Sequence, residues 1–238
     1  MLYLIGLGLN IDGISKYGLD IAKRCKRVYL ENYTVDFPYT IGELSEVIGK
    51  KIISADRDKV EGLSIVDEAS KMDIALLIYG SPLTATTHIT LLQEAKRLGL
   101  RTKVIHSASV LDGVAETGLQ LYKFGKVASM PAWKDNFTPD SFMNIIKENQ
   151  NIKAHSLILV DIGLDFPDAL NQLEESAKKH EIKLKKLILC QTLGTKHQKI
   201  FYKTIEDLKA FTSVRKPYCI VIPSKLHFME KEVLSNFS

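Results

Sequence analysis

From its second residue this chain alternates short apolar runs with stretches of helical period, and that alternation constrains its fold more than any other feature. Runs at Leu2 to Ile5, Arg27 to Glu31, Lys51 to Ser54, Ile74 to Tyr79 and Thr102 to His106 read as strands, and the spacers suit crossover connections in a mostly parallel sheet. Between them, Ser15 to Cys25 carries Leu19, Ile21, Ala22 and Cys25 on one helical face. Thr40-Ile41-Gly42-Glu43 has capping-box spacing, with Gly49 as the stop, and a helix from Thr87 to Leu98 ends at Gly99.

From about Leu121 the pattern changes. Strands are expected at Lys126 to Met130, Ser156 to Asp161, Leu187 to Cys190, Lys199 to Tyr202 and Tyr218 to Ile222. Helices are expected at Asp140 to Gln150, near Asp168 to Lys179 and at Ile205 to Phe211, which together suggest a mixed sheet. No flexible linker interrupts Ser109 to Gly118, so the fold class expected is α/β, with an N-terminal domain over 1–112 and a C-terminal domain over 119–238. Domains joined so tightly are expected to leave a cofactor cleft between them.

Composition removes several classes of function. A formal charge of +4 spread over 238 residues is a weak signal for nucleic-acid binding, and runs such as Lys183 to Lys186 lie beside apolar periodicity, as solvated helix faces or termini do, with a mild attraction to an acidic or RNA-associated partner left open. Three scattered cysteines, Cys25, Cys190 and Cys219, fit neither a disulfide framework nor a zinc site. No run approaches a membrane span and no leader precedes Leu2, so a cytoplasmic protein is expected.

Three strand exits draw attention to ligand chemistry. Gly6-Leu7-Gly8-Leu9 follows the first strand, Gly80-Ser81-Pro82-Leu83-Thr84-Ala85-Thr86-Thr87-His88 the fourth, and Pro223-Ser224-Lys225-Leu226-His227 the last. Ligands of α/β sheets bind at such carboxyl edges, and three exits of one kind suggest one pocket. A dinucleotide fingerprint is incomplete, because Ile11 stands where its third glycine belongs and Glu31 is an imperfect ribose partner. The loop after Gly80 offers neutral hydroxyls without a phosphate-binding Lys or acidic metal ligands, which suits a cofactor recognised through amide, ribose and amino-acid groups; a purely structural capping role stays open. His88, His106 and His227 fall at strand ends, where an ordinary hydrogen-bonded role is as open as a catalytic one, whereas His155, His180 and His197 read as surface positions. With no nucleophile elbow, metal-binding His pair or paired carboxylates, chemistry by positioning fits best.

Together, Leu2 to Leu9, Gly80 to His88, His106 to Val110, Thr117-Gly118-Leu119-Gln120-Leu121-Tyr122-Lys123-Phe124-Gly125-Lys126, Ile146 to Asn149, Val160-Asp161 and Leu226-His227-Phe228-Met229-Glu230 resemble the diphthine synthases, part of the tetrapyrrole-methylase-like class of S-adenosylmethionine-dependent methyltransferases. The similarity runs along essentially the entire chain. It implies S-adenosyl-L-methionine as methyl donor, S-adenosyl-L-homocysteine as product and no metal. It further implies methylation of the amino group of a modified histidine on translation elongation factor 2, by a homodimer that contacts neither nucleic acid nor membrane. By motif position the cofactor contacts fall on Leu9, Ser81, Thr84, Ser109, Val110, Val160, Leu193 and His227, and no catalytic base can be named. The chain departs from the family at Ser81, where Gly-Asp-Pro is usual, and at Cys190 to Thr195, where an Arg-containing string is usual. Rival readings are a tetrapyrrole or RNA acceptor on the same fold, or a non-catalytic binding protein.

Overall fold

Alternate residues of β1 (Leu2–Gly6) serve two different cores, Leu2 and Leu4 joining one apolar cluster and Ile5 another. A strand apolar on both faces needs helices on both. The computed structural model, which describes residues 1–238, supplies them through α1 (Lys16–Arg24), β2 (Arg27–Glu31), α2 (Ile41–Ile48), β3 (Ile53–Ala55), α3 (Arg57–Glu61), α4 (Ser64–Ala69), β4 (Ile74–Ile78), α5 (Ile89–Arg97), β5 (Thr102–Ile105) and α6 (Val110–Gly113). The five strands are all parallel, in the order β3-β2-β4-β1-β5. Ile21 and Ala22 of α1 and Leu44 and Ile48 of α2 share the cluster of Ile5, Val28, Leu30, Ala75 and Leu77. Val60, Ile65, Val66, Leu91 and Ala95, from α3, α4 and α5, share that of Leu2, Leu4, Tyr29, Ile74, Leu76 and Ile78.

Local signals act where the sequence puts them. Thr40 and Glu43 close the capping box of α2, and Gly49 ends that helix at φ 70°. β3 begins two residues later than expected, because its register is set by pairing Ile53 to Ala55 with Tyr29 to Glu31. The sequence reading contains neither α3 nor α4, since helices of five and six residues are too short to show a 3.6-residue period.

Residue contacts divide the chain into Met1–Gly113 and Val114–Ser238. In the second unit, 3-10 turns at Val114–Thr117 and Leu121–Lys123 precede β6 (Ala128–Met130), α7 (Phe142–Asn151), β7 (Ser156–Val160), α8 (Phe166–Lys179), β8 (Lys186–Gln191), β9 (Lys199–Thr204), α9 (Ile205–Leu208), β10 (Tyr218–Ile222) and α10 (Phe228–Ser235). Its sheet is mixed, in the order β6-β7-β10-β8-β9, with β6 and β7 parallel and the other pairs antiparallel. Phe142, Met143 and Ile146 of α7 and Phe166, Leu170 and Leu173 of α8 build one core with Ile158, Leu187, Leu189, Ile220 and Ile222. The sequence reading has no helix after His227; exposed Phe228 and Met229 break the amphipathic pattern that would have marked α10. No helix of the molecule is long and apolar enough to cross a membrane.

Candidate functional site

Two glycines in left-handed backbone, Gly8 at φ 72° and Gly80 at φ 71°, join the exits of β1 and β4. Each N–H donates to the other's carbonyl at 3.0 Å, so the loops form a narrow antiparallel bridge across the carboxyl ends of parallel strands. A Cβ on Gly6 would lie 2.7 Å from the Gly80 carbonyl oxygen and 2.8 Å from Pro82 Cδ, so no larger residue permits this approach. The exit of β5 closes on the same place, because a Cβ on Gly80 would sit 3.6 Å from Ser109 Cα, and Ser107 Oγ donates to the Gly13 carbonyl at 2.8 Å. Leu9, Ser81, Thr84 and Ser109 therefore sit on three mutually touching loops, and Val110 opens α6 directly after the third.

Hydroxyl groups on this rim are held in place. Ser81 Oγ pairs with His106 Nδ1 at 3.2 Å, and Ser109 donates to Asp112 Oδ2 through both its N–H (2.7 Å) and its Oγ (2.9 Å). Tyr79 donates to the carbonyl of Leu9 at 3.0 Å. Leu83 and Ala85 adopt φ of 70° and 54°, left-handed backbone that costs about 1–2 kcal/mol for a residue with a Cβ. Strain of this kind concentrates where a loop's shape serves a ligand. The rim carries no Lys or Arg.

The dinucleotide alternative loses both its supports. Glu31 is buried, and its carboxylate is occupied by the Tyr33 N–H (2.9 Å) and Thr34 Oγ1 (2.7 Å); burial raises its pKa against those bonds. The first loop turns back at Gly13, where a Cβ would meet the Leu7 carbonyl oxygen at 2.5 Å, and α1 starts only at Lys16, capped by Ser15.

His88 is buried at 1% exposure, edge-on to the Tyr33 ring at 6.4 Å, and neither ring nitrogen has a hydrogen-bond partner. Burial holds its pKa down at about 4, against the pull of Glu61, so the ring is neutral at physiological pH. His155 corrects the sequence reading. It is not a surface residue but fully buried, accepting from the Ser224 N–H at Nδ1 (3.0 Å), so that the proton on Nε2 faces Glu230 Oε1 (3.2 Å). Burial lowers the His155 pKa, opposed by Glu230.

In the second unit, β10 runs antiparallel to both neighbours, with Cys219 opposite Leu159 and Tyr218 opposite Gln191. Val160 thus ends β7 and Leu193 follows β8 at one edge of the sheet, while the Pro223 to His227 exit leaves from Ile222 at the opposite edge. The third exit is therefore not of the same kind as the first two, an error that arises because strand direction is invisible in an apolar run. His227 instead precedes α10, its N–H donating to Glu230 Oε2 at 2.7 Å. Sequence reasoning also missed Glu230, which is fully buried and further accepts from the Gln120 N–H (3.1 Å) and Lys123 Nζ. The available signal was an acid inside the Leu226 to Glu230 string.

The sequence profile of the Tetrapyrrole (Corrin/Porphyrin) Methylases matches residues 1–209. A diphthine synthase of Methanocaldococcus jannaschii is 38% identical over 98% of this chain and 97% of its own. The human diphthine methyl ester synthase is 35% identical over 100% and 95%. A solved diphthine synthase superimposes with a TM-score of 0.91 at 31% identity, covering 100% of this chain and 95% of its own.

Proposed function

Because the chain belongs to the tetrapyrrole methylase family, among its diphthine synthases, we propose that it moves a methyl group from S-adenosylmethionine to the amino group of the modified histidine on translation elongation factor 2. The observation that carries this reading is the rim made by the bridged Gly8 and Gly80 loops, which hold a set of uncharged backbone and seryl groups fixed by bonds within the loops and free of Lys or Arg. Such a set fits a ligand presenting ribose, adenine and amino-acid groups without phosphates.

On this reading Leu9, Ser81, Thr84, Ser109 and Val110 hold the donor from the first unit, and Val160, Leu193 and His227 are assigned to it from the second by motif position. When bound, S-adenosylmethionine supplies an electrophilic methyl group and its own leaving group, S-adenosylhomocysteine. The chain's task is orientation. Ser81, set by His106, and Ser109, set by Asp112, present hydroxyls whose positions need no reorganisation, and positioning of this kind is worth several kcal/mol. No residue is assigned as a base for the acceptor amine, whose proton passes to solvent. We place the reaction in the cytoplasm, where translation factors act, and expect the homodimer that the kinship implies.

Calorimetry with S-adenosylhomocysteine, followed by transfer of labelled methyl groups to elongation factor 2 bearing the precursor histidine, tests this directly. Saturable heat and labelled factor are expected; absence of both overturns the reading. The mass of the modified peptide then separates methylation of the amine alone from added esterification.

A further inference from the structure

Two strings of the second unit, 117–126 and 224–232, meet on one buried carboxylate. Glu230 takes the Gln120 N–H, Lys123 Nζ, the His227 N–H and His155 Nε2, and Lys123 Nζ also donates to the Lys225 carbonyl at 2.9 Å. The first string is pinned again at both ends. Gly118 lies so close to α10 that a Cβ would meet Val233 Cγ1 at 2.3 Å, and Gly125 so close to buried Asn149 that a Cβ would meet Oδ1 at 2.1 Å. Asn149 Oδ1 accepts the Lys126 N–H and its Nδ2 donates to the Lys126 carbonyl.

This anchoring turns large apolar side chains outward. Tyr122 is 82% exposed, Phe228 68%, Met229 48% and Leu121 43%, each within two residues of a group bonded to Glu230. Rigidly held exposed aromatics are an interface signature rather than a stability device. Beside them Lys225 and Lys231 are exposed and enter no ion pair, and Glu232 is the one exposed carboxylate of the two strings. A second copy related by a two-fold axis would set this patch against itself, bringing unpaired lysines together, which disfavours self-association through it. The unpaired lysines call for carboxylates on the other side.

Resting on the function proposed above, we propose that Leu121, Tyr122, Phe228 and Met229, with Lys225 and Lys231, form the docking face for the protein acceptor, engaging a segment that carries an apolar side chain flanked by carboxylates. The His227 ring lies 4.3 Å from that of Phe228, which makes the face continuous with a residue assigned to the donor.

The test is the affinity of purified elongation factor 2, bearing the precursor histidine, for the full-length protein and for a Tyr122→Ser/Phe228→Ser variant, measured alongside methyl transfer, S-adenosylhomocysteine affinity and sedimentation. The variant should bind the factor at least about tenfold more weakly and raise KM for it by a similar factor, with kcat, donor affinity, melting temperature and oligomeric state unchanged. Lys225→Glu/Lys231→Glu should slow association and flatten its salt dependence. Unchanged factor affinity in the aromatic variant overturns the proposal, as does conversion of a wild-type dimer to monomer, which would make the face a self-interface. Wild-type protein that binds the factor through this face yet transfers no methyl would refute the catalytic reading while leaving the docking face standing.

Discussion

At position 81 this chain carries a hydroxyl where the resemblance implies a carboxylate. Ser81 is buried and bonded to His106, so Ser81→Asp would place a negative charge beside an imidazole and beside the cationic donor proposed to bind there. A charge-assisted bond is worth about 1.5–3 kcal/mol, so S-adenosylmethionine should bind roughly ten- to a hundredfold more tightly to the variant; unchanged or weaker binding in calorimetry would remove this loop from the donor site. His88 makes a prediction of the opposite kind. Its folded pKa of about 4 lies below the ordinary histidine value of 6.5, so the unfolded chain binds the extra proton between those pH values. The stability present above pH 6.5 should fall as pH drops from 6.5 toward 4, by on the order of 2–3 kcal/mol from this ring. His88→Phe keeps the edge-on contact with Tyr33 and has no nitrogen to protonate, so urea denaturation should show that limb flattened; an unchanged pH profile would mean another group titrates.

Between elements, two clamps matter. The bridge between the β1 and β4 exits leaves no room at Gly6, and Gly6→Ala should cost about 1–3 kcal/mol in overpacking and abolish donor binding together. A variant that bound the donor normally would separate the bridge from the site. In the second unit, Glu230 ties the 3-10 turn at Leu121–Lys123, the start of β7 and α10 to one side chain. Burial would raise its pKa, but bonds from Lys123, the His227 and Gln120 N–H groups and His155 bring it down to about 2. The folded state therefore favours the carboxylate, and the stability it contributes is complete above about pH 4.5 and lost as pH falls toward 2. Glu230→Ala should cost about 3–5 kcal/mol, because it strands two N–H groups, an ammonium and an imidazole N–H; a loss below 1 kcal/mol on denaturant titration would show that water replaces the network.

For the whole molecule, the assignment of donor contacts to both units is the boldest part of the proposed function. Saturating S-adenosylhomocysteine should slow amide hydrogen exchange around Gly80 and Ser109 and also around Val160 and Leu193. Protection limited to Met1–Gly113 would strike Val160, Leu193 and His227 from the site. The register within the second sheet sharpens this experiment, since His227 and the Val160–Leu193 pair leave from opposite edges and need not respond together.

The sequence by itself determined the α/β class, both sheets and most of their strands, because apolar runs, capping residues and stop glycines act within a few residues of where they stand; Thr40, Glu43 and Gly49 behave as read. It also put Leu9, Ser81, Thr84 and Ser109 at strand exits, since glycine marks close backbone approach. Strand direction and the partners of buried polar groups were decided only in three dimensions. An apolar run such as Cys219 to Ile222 reads the same in either direction, and His155 and Glu230 lie 75 residues apart along the chain, so nothing local reveals that one desolvated carboxylate makes the other's burial possible. Long-range pairing of charges out of water is a property of the packed state, which is why the surface built upon it became visible only there.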